Sequence, residues 1–260
     1  MKNFVNLSFG FFLSAITLTV SIQSQARQNT QEGSSNQGPV QQPSGEALDP
    51  FKCNEDSNCN RLAIQAIERA GFKCLGYDGA RMQIFHVIDV YQEQGNTYVD
   101  SVYSKERIRV PRKGLPDGNE FNTEHTYPQS LLKNNGRFQV SRADLYHLFP
   151  TGSKINGMRG NLPFAECTLK AEGQGQLCPG NRSFMPPKKQ RGPTARAMFY
   201  MSVMYGLEIP AAEESVLRKW NQEFPPSEQE LDRLKKIELI QGNTNPFISH
   251  PEYVSLIRNY

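Results

Sequence analysis

Residues 122–130 read Asn-Thr-Glu-His-Thr-Tyr-Pro-Gln-Ser, which sets the acidic Glu124 directly before His125. The whole chain holds four histidines, so each one is a candidate for chemistry. A neutral imidazole takes a proton from water near pH 7. A carboxylate holds a hard divalent cation. One residue could therefore bind a metal while its neighbour generates a nucleophile. Neighbours in a regular strand point to opposite faces, so the pair must lie at a strand end or in a loop to serve one atom. Taken alone, an adjacent Glu-His is an ordinary polar feature.

A second segment changes that reading. DLYHLFPTGSKINGMRGN at 144–161 supplies Asp144, His147, Asn156, Arg159 and Asn161. The amide oxygen of Asn156 is a hard ligand suited to magnesium, although Asn156-Gly157 also reads as a turn or a helix cap. His147 is better read as a structural histidine bonded to backbone. A metalloprotease reading through Glu124, His125 and His147 lacks the H-E-x-x-H spacing that puts two histidines on one helix face. Basic residues collect around these segments. Residues 181–200 hold Arg182, Lys188, Lys189, Arg191 and Arg196 with no acid, within a chain of net charge +3. A small net charge with local basic clusters excludes a general DNA-coating protein and suits an anionic substrate.

The elements that must position these groups follow from local pattern. Asn60 is a candidate cap for a helix through RLAIQAIERA that stops at Gly71. Residues 82–90 predict a strand or a buried helix, and 97–104 and 106–110 predict strands. Residues 144–150 predict a short strand closed by Pro150. Thr151 or Ser153 is then a candidate cap for a helical turn. Thr194 is the expected cap of a buried helix that stops at Gly206. Ser227-Glu-Gln-Glu230 is a capping box for a helix to about residue 240, with Gly242 beyond its end. Pro251 opens a final short helix. Strands first and helices later predict an α+β single domain.

The ends carry separate signals. Lys2, an apolar run and Ser24-Gln25-Ala26 predict a secretory signal peptide over residues 1–26. Residues 27–50, rich in Gln, Ser, Gly and Pro, predict a disordered linker, which leaves 51–260 as the folded domain. Five cysteines outside the cytoplasm should pair. Cys167 and Cys178, flanking AEGQGQL, are the most natural pair. Two of Cys53, Cys59 and Cys74 could form a second bridge, leaving one thiol.

Five ordered stretches then carry a family resemblance: NTEHTYPQS, NNGR at 134–137, ADLYHLFPTGSKINGMRGN at 143–161, RGPTARAMFYM at 191–201 and QGNTNPFISHPE at 241–252. The chain resembles the bacterial endonuclease I family, secreted non-specific nucleases of the ββα-metal (His-Me finger) superfamily. The resemblance implies a ββα-metal core with a helical C-terminal part. It implies His125 as the general base that activates water. Glu124 and Asn156 would be the protein ligands of Mg2+, for which Mn2+ or Ca2+ could substitute. Arg137 would contact the DNA phosphate. Arg159, Lys188, Lys189, Arg191 and Arg196 would touch the nucleic-acid backbone, with a structural ion pair as the alternative for Arg196. Asn122 and Pro128 would shape the loop. Many relatives have His where this chain has Tyr146, and the Gly-Asp-Arg after the metal asparagine is Gly157-Met158-Arg159 here. The expectation is a periplasmic or secreted, magnesium-dependent monomeric endonuclease without a membrane anchor or stable protein partner. It would cut single- and double-stranded DNA, with RNA a further candidate, to 5′-phosphate and 3′-hydroxyl ends. The rival is a non-catalytic DNA-binding or uptake protein that keeps the basic face.

Overall fold

The carboxylate of Asp56 accepts from the backbone N–H groups of Asn58 and Cys59 and so opens α1 (Ser57–Arg69). The structure, a computed structural model, describes Cys53, residues 56–168 and residues 173–260. The expected signal peptide (1–26) and linker (27–50) lie outside the described residues. Asn60 is not the cap: it is buried within α1 and donates to the Leu256 carbonyl at 3.1 Å. The stretch read as a strand or a buried helix is helical. There α2 (Tyr77–Gln83) runs on as a π turn, Ile84–Ile88. β1 (Val90–Glu93), β2 (Asn96–Asp100) and β3 (Arg107–Arg109) then form an antiparallel meander.

The next elements carry the candidate site. β4 (Phe121–His125) pairs antiparallel with β5 (Leu148–Gly152), in register from Phe121 opposite Gly152 to His125 opposite Leu148. Between them lie two single-turn helices, α3 (Gln129–Leu132) and α4 (Phe138–Ser141), and a 3-10 turn, Leu145–His147. α5 (Ser153–Arg159) follows β5 without a loop and packs on both strands. These elements form a ββα unit. Pro150 does not close the strand as expected but lies within it. β5 pairs with β4 alone in its sheet, and the Pro150 carbonyl accepts from Val102 N–H at 3.0 Å, so the missing donor costs no ladder bond to a third strand.

The C-terminal half is helical, which with the small sheets makes an α+β fold. A short hairpin, β6 (Gln176–Leu177) with β7 (Phe184–Met185), sits beside the Cys167–Cys178 disulfide. A second disulfide joins Cys53 to Cys59, and Cys74 is the free thiol. α6 (Lys188–Tyr205) begins well before Thr194, the expected cap, and continues through Pro193. It ends at Gly206, whose φ of 68° suits a residue without a β-carbon. α7 (Ala211–Glu223) was not anticipated. α8 (Glu228–Gln241) opens as expected, with Ser227 Oγ accepting from Glu230 N–H at 3.2 Å. α9 (Pro246–Ser249) and a 3-10 turn over Pro251–Leu256 follow. Among the described residues no helix is long and apolar enough to cross a membrane.

One buried ion pair ties these helices together, and it corrects the expected role of Arg196. Its side chain is fully buried and donates to both carboxylate oxygens of Glu230, Nε to Oε1 at 2.8 Å and Nη2 to Oε2 at 2.5 Å. It also donates to the Phe224 carbonyl at 3.0 Å. A guanidinium so enclosed cannot reach a phosphate backbone. Gly192 permits this contact, because a β-carbon there would lie 2.2 Å from the Phe224 carbonyl oxygen. Arg196→Ala leaves Glu230 buried without its counter-charge. Urea denaturation should show a loss of about 3–5 kcal/mol. A loss below about 1 kcal/mol, the range of an exposed pair, would refute the structural role.

Candidate active site

Strand alternation sets the first constraint. Asn122 and Glu124 leave β4 on one face, and His125, its last residue, leaves on the other. α5 covers the Asn122/Glu124 face. Its Asn156 and Arg159 are one turn apart and therefore lie on the same side of the helix. Asn156 Nδ2 donates to Asn122 Oδ1 at 2.6 Å, and Arg159 Nη1 lies 3.1 Å from Glu124 Oε1. The structure thus brings the carboxylate of Glu124 and the amide of Asn156 to one face of the ββα unit.

Each donor group is oriented by a neighbour. Tyr103 donates to Glu124 Oε1 at 2.8 Å. Tyr103 and Arg159 converge on that oxygen, which leaves Oε2 without a side-chain donor. Burial raises the Glu124 carboxyl above its usual range. Arg159, then the hydrogen bonds from Tyr103 and the His125 backbone, pull it down without offsetting burial. Asn122 takes the Asn156 amide nitrogen and so turns Asn156 Oδ1 away, toward a ligand. Asn122 is therefore an orienting group within a strand rather than a loop-shaping residue. Pro128 does shape the chain, as the residue that precedes α3. Among the described residues no group of three or more His, Cys, Asp and Glu could hold a metal ion. A cation here would have two protein oxygens, one charged and one neutral, with water and substrate oxygens completing its shell. That hard, oxygen-only set fits magnesium.

His125 sits on the far side of the strand end. Its ring packs between Tyr77 and His147, with centroids 5.4 Å from each. Nε2 lies 3.1 Å from the Arg142 carbonyl, which can only accept. Nε2 must therefore carry the hydrogen, and Nδ1 keeps its lone pair. Burial pushes the imidazole from 6.5 down to about 4, outweighing the upward pull of that hydrogen bond, with Arg142 and Arg159 adding repulsion. The ring is neutral at pH 7 and can accept a proton. His147 is structural, as its neutral context suggested. It is fully buried, its Nε2 donates to the Ser141 carbonyl at 2.8 Å, and burial, then His125, hold it well below 6.5.

The basic residues divide into two sets. Arg137 is exposed, placed by the Asn135–Gly136 turn in which Asn135 Oδ1 accepts from Arg137 N–H and Gly136 takes a φ of 66°. Its guanidinium rests over the Tyr205 ring at 5.4 Å. Lys188 and Lys189 are also exposed. Arg159 is not: it is 1% exposed and, besides its ion pair, donates to the carbonyls of His125 and Thr126 at 3.0 and 2.7 Å. Arg191 is buried too, donating to the Pro186 carbonyl and lying over Trp220. Neither can serve as a backbone contact, because each guanidinium spends its donors on the protein interior.

A family model described as Endonuclease I matches residues 75–252. The chain belongs to the endonuclease I family. It is 36% identical over 124 residues to an extracellular deoxyribonuclease of Aeromonas hydrophila, covering 45% of this chain and 54% of that protein. A periplasmic deoxyribonuclease of the same organism is 35% identical over 54% of this chain and 67% of its own length. An extracellular ribonuclease of Bacillus subtilis (strain 168) is 33% identical over 56% of this chain and 57% of its own length. The chain thus spans about half to two-thirds of the length of these relatives.

Within this family fold, sequence reasoning missed Tyr103, the orienting role of Asn122 and the Arg142 carbonyl. Asn122 had a usable signal, since positions two apart on a strand share a face. Tyr103 and Arg142 had none, because their contacts are tertiary. The lowered His125 value has a consequence for stability. Its folded pKa lies below the unfolded one, so the unfolded chain binds more protons between about 4 and 6.5. Stability is full above 6.5 and is lost as pH falls through that window. Thermal melts from pH 7 to 4.5 should show a drop that is smaller in His125→Ala. An identical drop in both proteins would refute the buried neutral state.

Proposed function

We propose that the chain is a secreted or periplasmic, magnesium-dependent endonuclease, with residues 51–260 as its catalytic domain. It cuts single- and double-stranded DNA without sequence preference, takes RNA as a second substrate, and leaves 5′-phosphate and 3′-hydroxyl ends. Family membership and the names of the relatives, deoxyribonucleases and a ribonuclease, support nucleic-acid hydrolysis. Two disulfides fit an oxidising compartment. The observation that carries the mechanism is the bond from His125 Nε2–H to the Arg142 carbonyl. It fixes the tautomer that leaves Nδ1 to take a proton from water as that water attacks phosphorus. Glu124 and Asn156 would hold the magnesium. When bound, that ion supplies charge neutralisation at the phosphate and the leaving oxygen. Tyr103 and Arg159 hold the carboxylate in place for that role. Asn122 holds the amide. Arg137, exposed and braced on Tyr205, reaches the phosphate and adds positive charge. Phosphate contacts carry no sequence information, in keeping with non-specific cleavage.

Plasmid nicking tests the reading. EDTA should abolish cleavage, and His125→Ala should reduce it at least about 100-fold with the circular dichroism spectrum unchanged. A folded His125→Ala protein that cuts at the native rate would sink the general-base assignment. DNA binding without cleavage in the native protein would instead establish the non-catalytic rival. Asn122→Ala frees the Asn156 amide to rotate. The magnesium concentration for half-maximal rate should rise about 10- to 100-fold, with the rate largely restored at saturation. An unchanged magnesium dependence would remove Asn122 from the site.

A further inference from the structure

A cavity of about 630 Å³ lies between the start of α6, β5, the ends of β1 and β2, and α8. Glu124, His125 and Asn156 do not line it. One end is built for an anion. The eighteen-residue α6 begins there with no side-chain cap and no acid in its first turn, so its N–H groups and positive dipole end are unopposed. Lys188 and Lys189 add two exposed ammonium groups. An independent observation points to a ligand. Gln190 lines the same cavity, is 6% exposed, and its side-chain amide has no hydrogen-bond partner among the described residues. A side-chain amide so enclosed and left unpaired is costly.

The rest of the cavity has a different character. Val102, Pro150, Pro193 and Ala197 give apolar wall, and Phe149 gives a ring with the Arg233 guanidinium stacked at 4.2 Å. Two of the lining acids are neutralised: Asp89 by Arg233 at 2.9 Å and Glu230 by Arg196. Asp100, Glu223 and Asp232 keep negative charge on the remaining wall. A polymer would place successive phosphates against those carboxylates. A ligand with a single terminal phosphate and a flat, largely apolar body would not. The volume also suits a molecule of that size.

We propose that this cavity is a second, non-catalytic site for a nucleoside 5′-monophosphate. Its phosphate is held by Lys188, Lys189, the α6 N-terminus and the Gln190 amide, and its base lies toward Phe149. The site stands independently of the nuclease reading.

Titration calorimetry in EDTA tests it on the full chain with four probes: adenosine 5′-monophosphate, adenosine, inorganic phosphate and a short single-stranded oligonucleotide. The expected result is saturable one-to-one binding of the monophosphate, at least about tenfold weaker for adenosine and for phosphate alone. Binding should weaken at least about tenfold in the double variant Lys188→Gln/Lys189→Gln and in Gln190→Leu, and stay unchanged in His125→Ala. Gln190→Glu keeps the shape, adds a negative charge and should also lose the monophosphate, so a misfolded Gln190→Leu does not decide the matter. Absence of saturable binding by the native protein overturns the proposal. So does monophosphate affinity that survives these substitutions in folded protein, or an oligonucleotide that competes with the monophosphate through the same lysines.

Discussion

The Arg159 guanidinium is the constraint on which the candidate site depends. It is a full charge taken out of water, and it persists because nearly every donor is used. Glu124 accepts at 3.1 Å, the His125 and Thr126 carbonyls accept at 3.0 and 2.7 Å, and the Phe164 ring lies 4.5 Å from the guanidinium carbon. These acceptors all lie on β4 or just beyond it, while Arg159 is the last residue of α5. One side chain therefore fixes how the helix of the ββα unit sits on its strand. Asn156, a turn earlier on α5, is placed by the same contact. Breaking the pair would leave Glu124 as an isolated buried charge, which is far costlier than losing an exposed ion pair.

A second buried acid extends this order to the helices. Asp144 accepts from the hydroxyls of Tyr200 and Tyr205, both at 2.8 Å, from Gln241 and from the Tyr146 backbone. α6 and α8 are thereby tied to the 3-10 turn that carries His147 and leads into β5. Tyr205 connects the network to the surface, since its ring supports Arg137. The Ser141 and Arg142 carbonyls, just before Asp144, hold His147 and His125 respectively. The catalytic imidazole, the exposed arginine and the helical core are thus coupled through residues 141–147.

How much of this could be read from the sequence depends on the range of the contact. Glu124, His125 and Asn156 were legible because their side chains have few other uses at that spacing. The Ser227 capping box and the stops at Gly206 and Gly242 were legible because their bonds are local. The strands over 97–110 were found, but with residues 101–104 overcounted. Arg159 and Arg196 were misread because charge predicts exposure, and the acids that bury them lie 35 and 34 positions away. Pro150 and Pro193 were read as boundaries, which fails where the lost donor has no neighbour that needs it or where packing holds the helix through it. Asn60 has the residue type of a cap, yet its partner is the Leu256 carbonyl at the other end of the chain.

Burial acts on the two adjacent residues in opposite senses, and that divergence makes the pair useful. For Glu124 desolvation penalises the anion, and Arg159 with Tyr103 does not fully compensate. The carboxylate is left in demand of further positive charge, which a hard cation supplies. For His125 desolvation penalises the cation, so the ring is held neutral with Nδ1 basic and Nε2 committed to a carbonyl. One low-dielectric environment around a strand end thus prepares one side chain to receive a metal and its neighbour to receive a proton. The opposite faces of β4 keep the roles apart. The strand terminus at His125 is where a phosphate could approach both.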